Sequence, residues 1–302
     1  MRAIAARANE NRPGLGIVMM LGAYFLFALV DTSVKWLVVG GLHAFQLAFM
    51  RYAGAFVISM GQILVTGGSF RHLKTDHLGL VLLRAFLLLS ATVVNFFVLK
   101  YLPLTLTSAI MFSAPVIVCA LSWPLLGERV GPVRWGAIVL GFVGVLIIVR
   151  PFSVDFQWLA LLSVYNALSM ALYSIITRKL SGKVAIETMQ FYLGFTGAVT
   201  MLPFGVWFWQ TPTSVAQWGF MLALGIWAWA GHELLTRAHG FAPTNTLMPF
   251  TYSFLLYLTA SGYLVFAHVP DQMTIFGALV VVVSGLIIWS RERRSVAVRP
   301  AA

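Results

Sequence analysis

Residues 125–149 read LLGERVGPVRWGAIVLGFVGVLIIV. Two apolar runs meet there at a charged joint, Glu128 and Arg129, and the second run carries Gly136, Gly141 and Gly144. A charge at the end of an apolar segment can stay hydrated, so the joint reads as a hairpin anchor rather than a substrate ligand. The glycines read as one packing face of a helix, because small residues let backbones approach where lipid gives no hydrophobic drive for association. They are not a phosphate cradle, since no Gly-rich loop follows a strand pattern. The stretch is therefore the end of one membrane-spanning helix and the whole of the next.

The same signal recurs outward in both directions. The chain has 302 residues, of which 60% are hydrophobic and only 10% charged, where a soluble protein has about a quarter charged. Apolar runs of about 20 residues cross a bilayer as helices. They are expected at 15–38, 43–65, 77–99, 104–126, 132–149, 156–178, 186–209, 215–237, 243–267 and 272–290. The first run is too long for a signal peptide and lacks a small-residue cleavage site, so it reads as a retained span. The one cysteine, Cys119, lies inside a span and allows no intrachain disulfide.

The formal charge of +11 would point to nucleic acid in a soluble protein. Here the loop arginines and lysines fall almost wholly on one side; the other keeps Lys35, Lys100 and Arg150. That asymmetry predicts a multi-pass inner-membrane protein with both termini cytoplasmic, in contact with lipid and not with nucleic acid.

A shift of 140 residues lays Leu82–Val149 over Leu222–Trp289 without a gap, pairing Pro103 with Pro243 and Ser113 with Ser253. A shift of 143 lays ALVDTSVKWL (28–37) over ALYSIITRKL (171–180), pairing Lys35 with Arg178. Each half then holds five spans, and an odd number puts the second half into the membrane upside down. The expected fold is an all-α integral membrane protein of ten transmembrane helices in two inverted five-helix repeats. The divisions are a tail at 1–14, repeats at 15–151 and 152–290, and a tail at 291–302.

Residues 100–151 carry LPLT leading into a helix, an Ala-Pro at its middle, an LLGERV exit and a Gly-rich helix after it. This combination closely resembles the tail of the EamA domain of the drug/metabolite transporter superfamily. Residues 242–289 look like a diverged second copy, with His268 where the first has Glu128 and Pro249 in place of a match to Pro115. The resemblance implies a ten-helix carrier of two repeats, whose relatives export amino acids, related metabolites, nucleotide sugars or drugs. Short tails and ten spans favour the amino-acid and metabolite exporters.

The binding candidates are polar or aromatic residues at mid-span. Pro115 frees the carbonyl of Met111, which either sits in a packed kink or lines a wet cavity beside Met111 and Ser113. Span nine carries Tyr252 at similar depth. Span six offers Tyr165, Asn166, Met170 and Tyr173, with Tyr165, Ser169 and Tyr173 on one stripe. Packing hydrogen bonds are the alternative reading of that stripe. Span three offers Thr92 and Asn95; span eight offers Trp227 and His232, away from the interfacial belt where Trp207, Trp209 and Trp218 belong. Charges read as structural: Arg84 snorkels, while Glu233–Arg237 and Asp31–Lys35 form i,i+4 pairs.

The expected cavity, between spans one, three, four, six, eight and nine, is thus uncharged, aromatic and rich in dipoles. No catalytic set, metal-ligand cluster or cofactor motif is visible in the sequence. The expectation is a non-enzymatic, facilitative exporter of amino acids or similar small metabolites working by alternating access; a monomer is compatible with it. The rival is a multidrug or toxic-metabolite exporter of the same fold, with or without proton coupling.

Overall fold

The computed structural model describes residues 12–65, 73–126, 131–150, 157–180, 183–241 and 248–297. Glu128 and Arg129 of the charged joint lie outside these residues. The helices are α1 (Pro13–Val39), α2 (Ala44–Val65), α3 (Leu78–Leu99), α4a (Leu104–Met111), α4b (Ala114–Leu126), α5 (Pro132–Val149) and α6 (Ala160–Leu180). They continue with α7 (Ile186–Trp207), α8 (Val215–Phe241), α9 (Ser253–Phe266) and α10 (Gln272–Ala297). No strand occurs among the described residues. Each expected span has its helix, with α4 in two pieces. Large apolar side chains such as Val57, Leu256 and Leu264 point outward, the arrangement that lipid rewards and water penalises. By length and apolarity alone, α1, α2, α3 and α6 each suffice to cross a bilayer.

Span four is interrupted rather than kinked. Phe112 and Ser113 form a turn, and Pro115 falls in the first turn of α4b, where a missing N–H costs little. The Ser113 hydroxyl donates to Ile110 O at 2.7 Å. Span nine is broken at the matching place: a 3₁₀ turn over Met248–Tyr252 precedes α9, and Ser253 Oγ donates to Phe250 O at 2.7 Å. The two serine bonds are 140 residues apart in sequence. Phe112 and Tyr252, separated by the same interval, meet ring to ring at 5.2 Å.

The most extensive helix pairings are α1 with α8, α3 with α6, α2 with α7 and α5 with α10. Renumbering each helix by five turns the first pairing into the second and returns the last two to themselves. Glycines sit at close approaches between helices. On α2 and α8, a Cβ at Gly225 would lie 2.6 Å from the Gly54 Cα, so the two backbones touch. On α5 and α10, a Cβ at Gly144 would lie 3.0 Å from Gly277 O, and one at Gly141 2.8 Å from Ser284 Oγ. Ser284 Oγ also donates to Ala137 O at 2.6 Å. Gly136 is different: a Cβ there would meet nothing within 4 Å among the described residues. Five residues carry it about 140° around the helix from Gly141, off the packing face expected for all three.

One end of the bundle is firmly tied. Gln46 Nε2 donates to Gln210 O at 2.8 Å, Gln210 N returns a bond to Gln46 Oε1 at 3.0 Å, and Gln217 Nε2 reaches Gly40 O at 3.3 Å. On the same face Arg150, at the end of α5, pairs with Asp271, which caps α10 through Thr274 N and Oγ1, both at 2.9 Å. Burial opposes ionisation of Asp271, but the Thr274 bonds and the Arg150 guanidinium outweigh it and hold the carboxyl below its usual range.

Candidate functional site

Two arginines and one aspartate, none of them assigned a binding role from sequence, organise the interior. Arg51 projects from α2 and is nine-tenths buried, at 9% exposure. Its Nη1 donates to Thr92 Oγ1 at 2.7 Å, and its guanidinium lies over the rings of Tyr52, at 5.0 Å, and Phe96, at 6.0 Å. Tyr52 Oη shares the Thr92 hydroxyl at 2.8 Å and reaches Leu88 O at 3.2 Å. Arg51 Nε is buried and has no hydrogen-bond acceptor among the described residues. Three residues along α3 from Thr92, Asn95 Nδ2 donates to Asp31 Oδ1 at 3.1 Å. Thr92 and Asn95, both expected at the site, thus hold a cation and an anion one helical turn apart.

This corrects the expected i,i+4 pair of Asp31 and Lys35. Lys35 is 4% exposed and donates instead to Leu99 O at 3.0 Å and Leu102 O at 2.6 Å, with the Phe266 ring 5.4 Å from its nitrogen. Unpaired carbonyls at a helix C-terminus attract cations, and here the end of α3 outcompetes the carboxylate one turn back on α1. The lysine fastens α1, α3, the lead-in to α4a and the end of α9 at the tied face.

Arg84 does not snorkel either. It is 4% exposed, bonds Tyr173 Oη through Nη2, and donates to Thr177 Oγ1 at 2.7 Å and to Met189 O at 3.5 Å. Its guanidinium carbon lies 4.4 Å from the Tyr173 ring centroid. A charge in the membrane interior needs such partners, and α3, α6 and α7 are joined by supplying them. The interior is therefore charged, contrary to the expectation from sequence.

The other candidates fall into separate surroundings. Ser113 is buried and Met111 half-buried at the α4 break, near the Phe112–Tyr252 contact. Asn166 is 3% exposed, and its Oδ1 has no partner among the described residues. Met170 and Trp227 flank the main apolar cluster, and Trp227 faces Phe220 at 6.2 Å. Tyr165 is the exposed member of the expected stripe: it is 41% exposed and donates to Ser90 Oγ at 3.0 Å. His232 packs on Phe27, with ring centroids 4.9 Å apart. It also lines a cavity of 20 Å³ with Arg51, Ser59, Gln190 and Trp229 between α2, α7 and α8. A larger cavity, 220 Å³, lies at the tied face beside Arg150 and Asp271, away from every candidate. The available signal for Arg51 was an arginine eight residues into an apolar run with no acid one turn away, a charge that lipid does not tolerate alone.

The EamA-like transporter family model matches residues 14–150. The riboflavin transporter of Vibrio cholerae is 30% identical over 300 residues, covering 95% of this chain and 99% of that protein. The S-adenosylmethionine uptake transporter of Rickettsia bellii is 28% identical, covering 90% and 94%. The pseudopaline exporter CntI of Pseudomonas aeruginosa is 25% identical, covering 92% and 97%. A solved protein crystal structure shares the fold with a TM-score of 0.65 at 17% identity, over 92% of this chain and 97% of that one. With apolar helices packed about a core that also holds Arg51, Arg84 and Asp31, and relatives matched over nine-tenths or more of the chain, the chain belongs to the EamA-like transporter family of drug/metabolite transporters and is a multi-pass membrane transporter of a small solute.

Proposed function

We propose that this protein exports amino acids or similar small metabolites across the bacterial inner membrane by alternating access, down their concentration gradient. The observation that carries this reading is the interior cluster of α1, α2, α3 and α8, where charged and aromatic groups face one another at mid-span and Lys35 fastens one end. The broken helices α4 and α9 add backbone free of the regular ladder, which lipid tolerates only beside protein or a wet cavity. The relatives carry different solutes, and their names describe both uptake and export. A cationic interior disfavours the lipophilic cations of a multidrug exporter.

The halves are read as two inverted repeats, 15–151 and 152–290, exchanging around the axis near Phe112 and Tyr252. The matched serine bonds and the reciprocal helix pairings support that division. Proton coupling is the second reading, favoured by Asp31, an interior carboxylate bonded to Asn95.

Flux of labelled amino acids and riboflavin in proteoliposomes tests the proposal, with and without a pH gradient. Amino-acid flux independent of the gradient is expected, and it should fall in Trp227→Ala, Tyr252→Ala and Ser113→Leu. Absence of amino-acid flux, or normal flux in all three variants, refutes the reading.

A further inference from the structure

Arg51 and Asp31 are held on α3 one turn apart and are not bonded to each other. Arg51 spends one nitrogen on Thr92, and Asp31 spends one oxygen on Asn95. The arginine's Nε has no acceptor among the described residues although the side chain is nine-tenths buried. The only hydrogen bond that Asp31's side chain makes among the described residues is the one from Asn95. A buried donor of a charged group left without an acceptor is costly, and placing it in the interior of a carrier gives it a second use. The 20 Å³ cavity touching Arg51 is large enough for one oxygen-sized particle. Its other walls include Ser59, Gln190, Trp229 and His232, which offer hydrogen bonds and an aromatic face.

From this juxtaposition we infer that Arg51 and Asp31 form a zwitterion clamp: Arg51 takes the carboxylate of the transported solute and Asp31 its ammonium. The inference rests on the transport reading above and names its substrate class as α-amino acids. In an α-amino acid one carbon separates the two charges, so a cation from α2 and an anion from α1, held by Thr92 and Asn95 one turn apart along α3, receive both at once. A guanidinium binds carboxylate through directed parallel bonds, and Arg51 retains the donors for this beyond Thr92. Amines lacking a carboxylate would leave Arg51 unanswered; acids lacking an ammonium would leave Asp31 so. Thr92 and Asn95 act as positioning residues, fixing the two charged groups without carrying the solute's charge themselves.

Proteoliposome uptake of four labelled probes tests the clamp: L-phenylalanine, phenethylamine, 3-phenylpropionate and riboflavin. The native chain should carry L-phenylalanine about tenfold faster than either singly charged analogue, the discrimination expected when a charged hydrogen bond is lost. Arg51→Gln should slow L-phenylalanine and shift preference toward phenethylamine; Asp31→Asn should slow it and shift preference toward 3-phenylpropionate. Arg51→Lys, which keeps the charge, should restore part of the discrimination, and each variant's melting temperature in detergent shows whether it is folded. If Arg51→Gln does not fold, Thr92→Val in its place should weaken the preference for carboxylate-bearing probes. Equal rates for the three phenyl probes in the native chain, or variants that slow all three alike, overturn the clamp while leaving amino-acid transport standing. Transport of riboflavin alone overturns both.

Discussion

Replacing Tyr173 by phenylalanine removes one oxygen and leaves the ring. The ring keeps its place beside the Arg84 guanidinium, 4.4 Å from centroid to carbon, so the change isolates the hydrogen bond from Nη2. In soluble proteins a hydrogen bond to a charged group contributes about 1.5–3 kcal/mol; interhelical bonds in membranes average about 0.6 kcal/mol, with a maximum near 1.7. Arg84 is 4% exposed and would keep Thr177 Oγ1 and Met189 O as acceptors. The loss should therefore sit near the membrane maximum, about 1.5 kcal/mol, or slightly more than tenfold in the unfolding equilibrium. Tyr165→Phe is the matched control. It deletes a neutral bond to Ser90 from a residue 41% exposed, and should cost about 0.6 kcal/mol or less. Unfolding in mixed micelles of rising dodecyl sulfate fraction, followed by circular dichroism, measures both. Equal midpoints for the two variants would show that Arg84 gains nothing from Tyr173 and that its charge is satisfied elsewhere.

Gly225→Val should destabilise the fold by about 1–3 kcal/mol, because its Cβ would meet Gly54 backbone at 2.6 Å; Gly219→Ala, with open space around it, should leave the melting temperature unchanged. Stability contributed by Asp271 should be present above the ordinary carboxylate value of 3.8 and be lost as pH falls below it, because its folded pKa is depressed. Melting curves from pH 5 to 3 should fall more steeply for the native chain than for Asp271→Asn, and parallel curves refute this. In a Cys119→Ser background, Thr211→Cys should label from outside intact cells and Lys74→Cys only after permeabilisation, since both termini are proposed to be cytoplasmic; the reverse pattern inverts the topology.

The lengths of apolar runs made the helices legible. Span one was expected at 15–38 and its helix runs Pro13–Val39; span eight was expected at 215–237 and runs Val215–Phe241. Bilayer thickness dictates that signal, and it is local. What stayed hidden was set by partners distant in sequence. Asp31 and Lys35 lie four apart on one helix, and that spacing describes a pair until the carbonyls of Leu99 and Leu102 are brought beside the lysine. Arg84 looked free to reach the interface because nothing in span three could hold it; its partners come from α6 and α7, 89 to 105 residues away. Span four read as a kinked helix because Pro115 was visible, whereas the break itself belongs to Phe112 and Ser113. Thr92 and Asn95 were expected at the site from their depth in span three, but their sequence spacing says nothing about which charges they hold.

The interlocked glycine faces of α5 and α10 bear on how the protein is made. Synthesis runs from the N-terminus, so α5 enters the bilayer long before Gly277 and Ser284 leave the ribosome. Val116 of α4b already lies over Gly141, but the near neighbours of Gly144 are Gly277, Val280 and Val281 of α10, so until then Gly144 leaves a shallow groove open to lipid. The final contact between the halves is therefore the last to become available, and a chain cut short before α10 keeps that groove open. A membrane protease that recognises loosely packed helices would find such a fragment and spare the finished protein, making closure of α5 on α10 a checkpoint for completion.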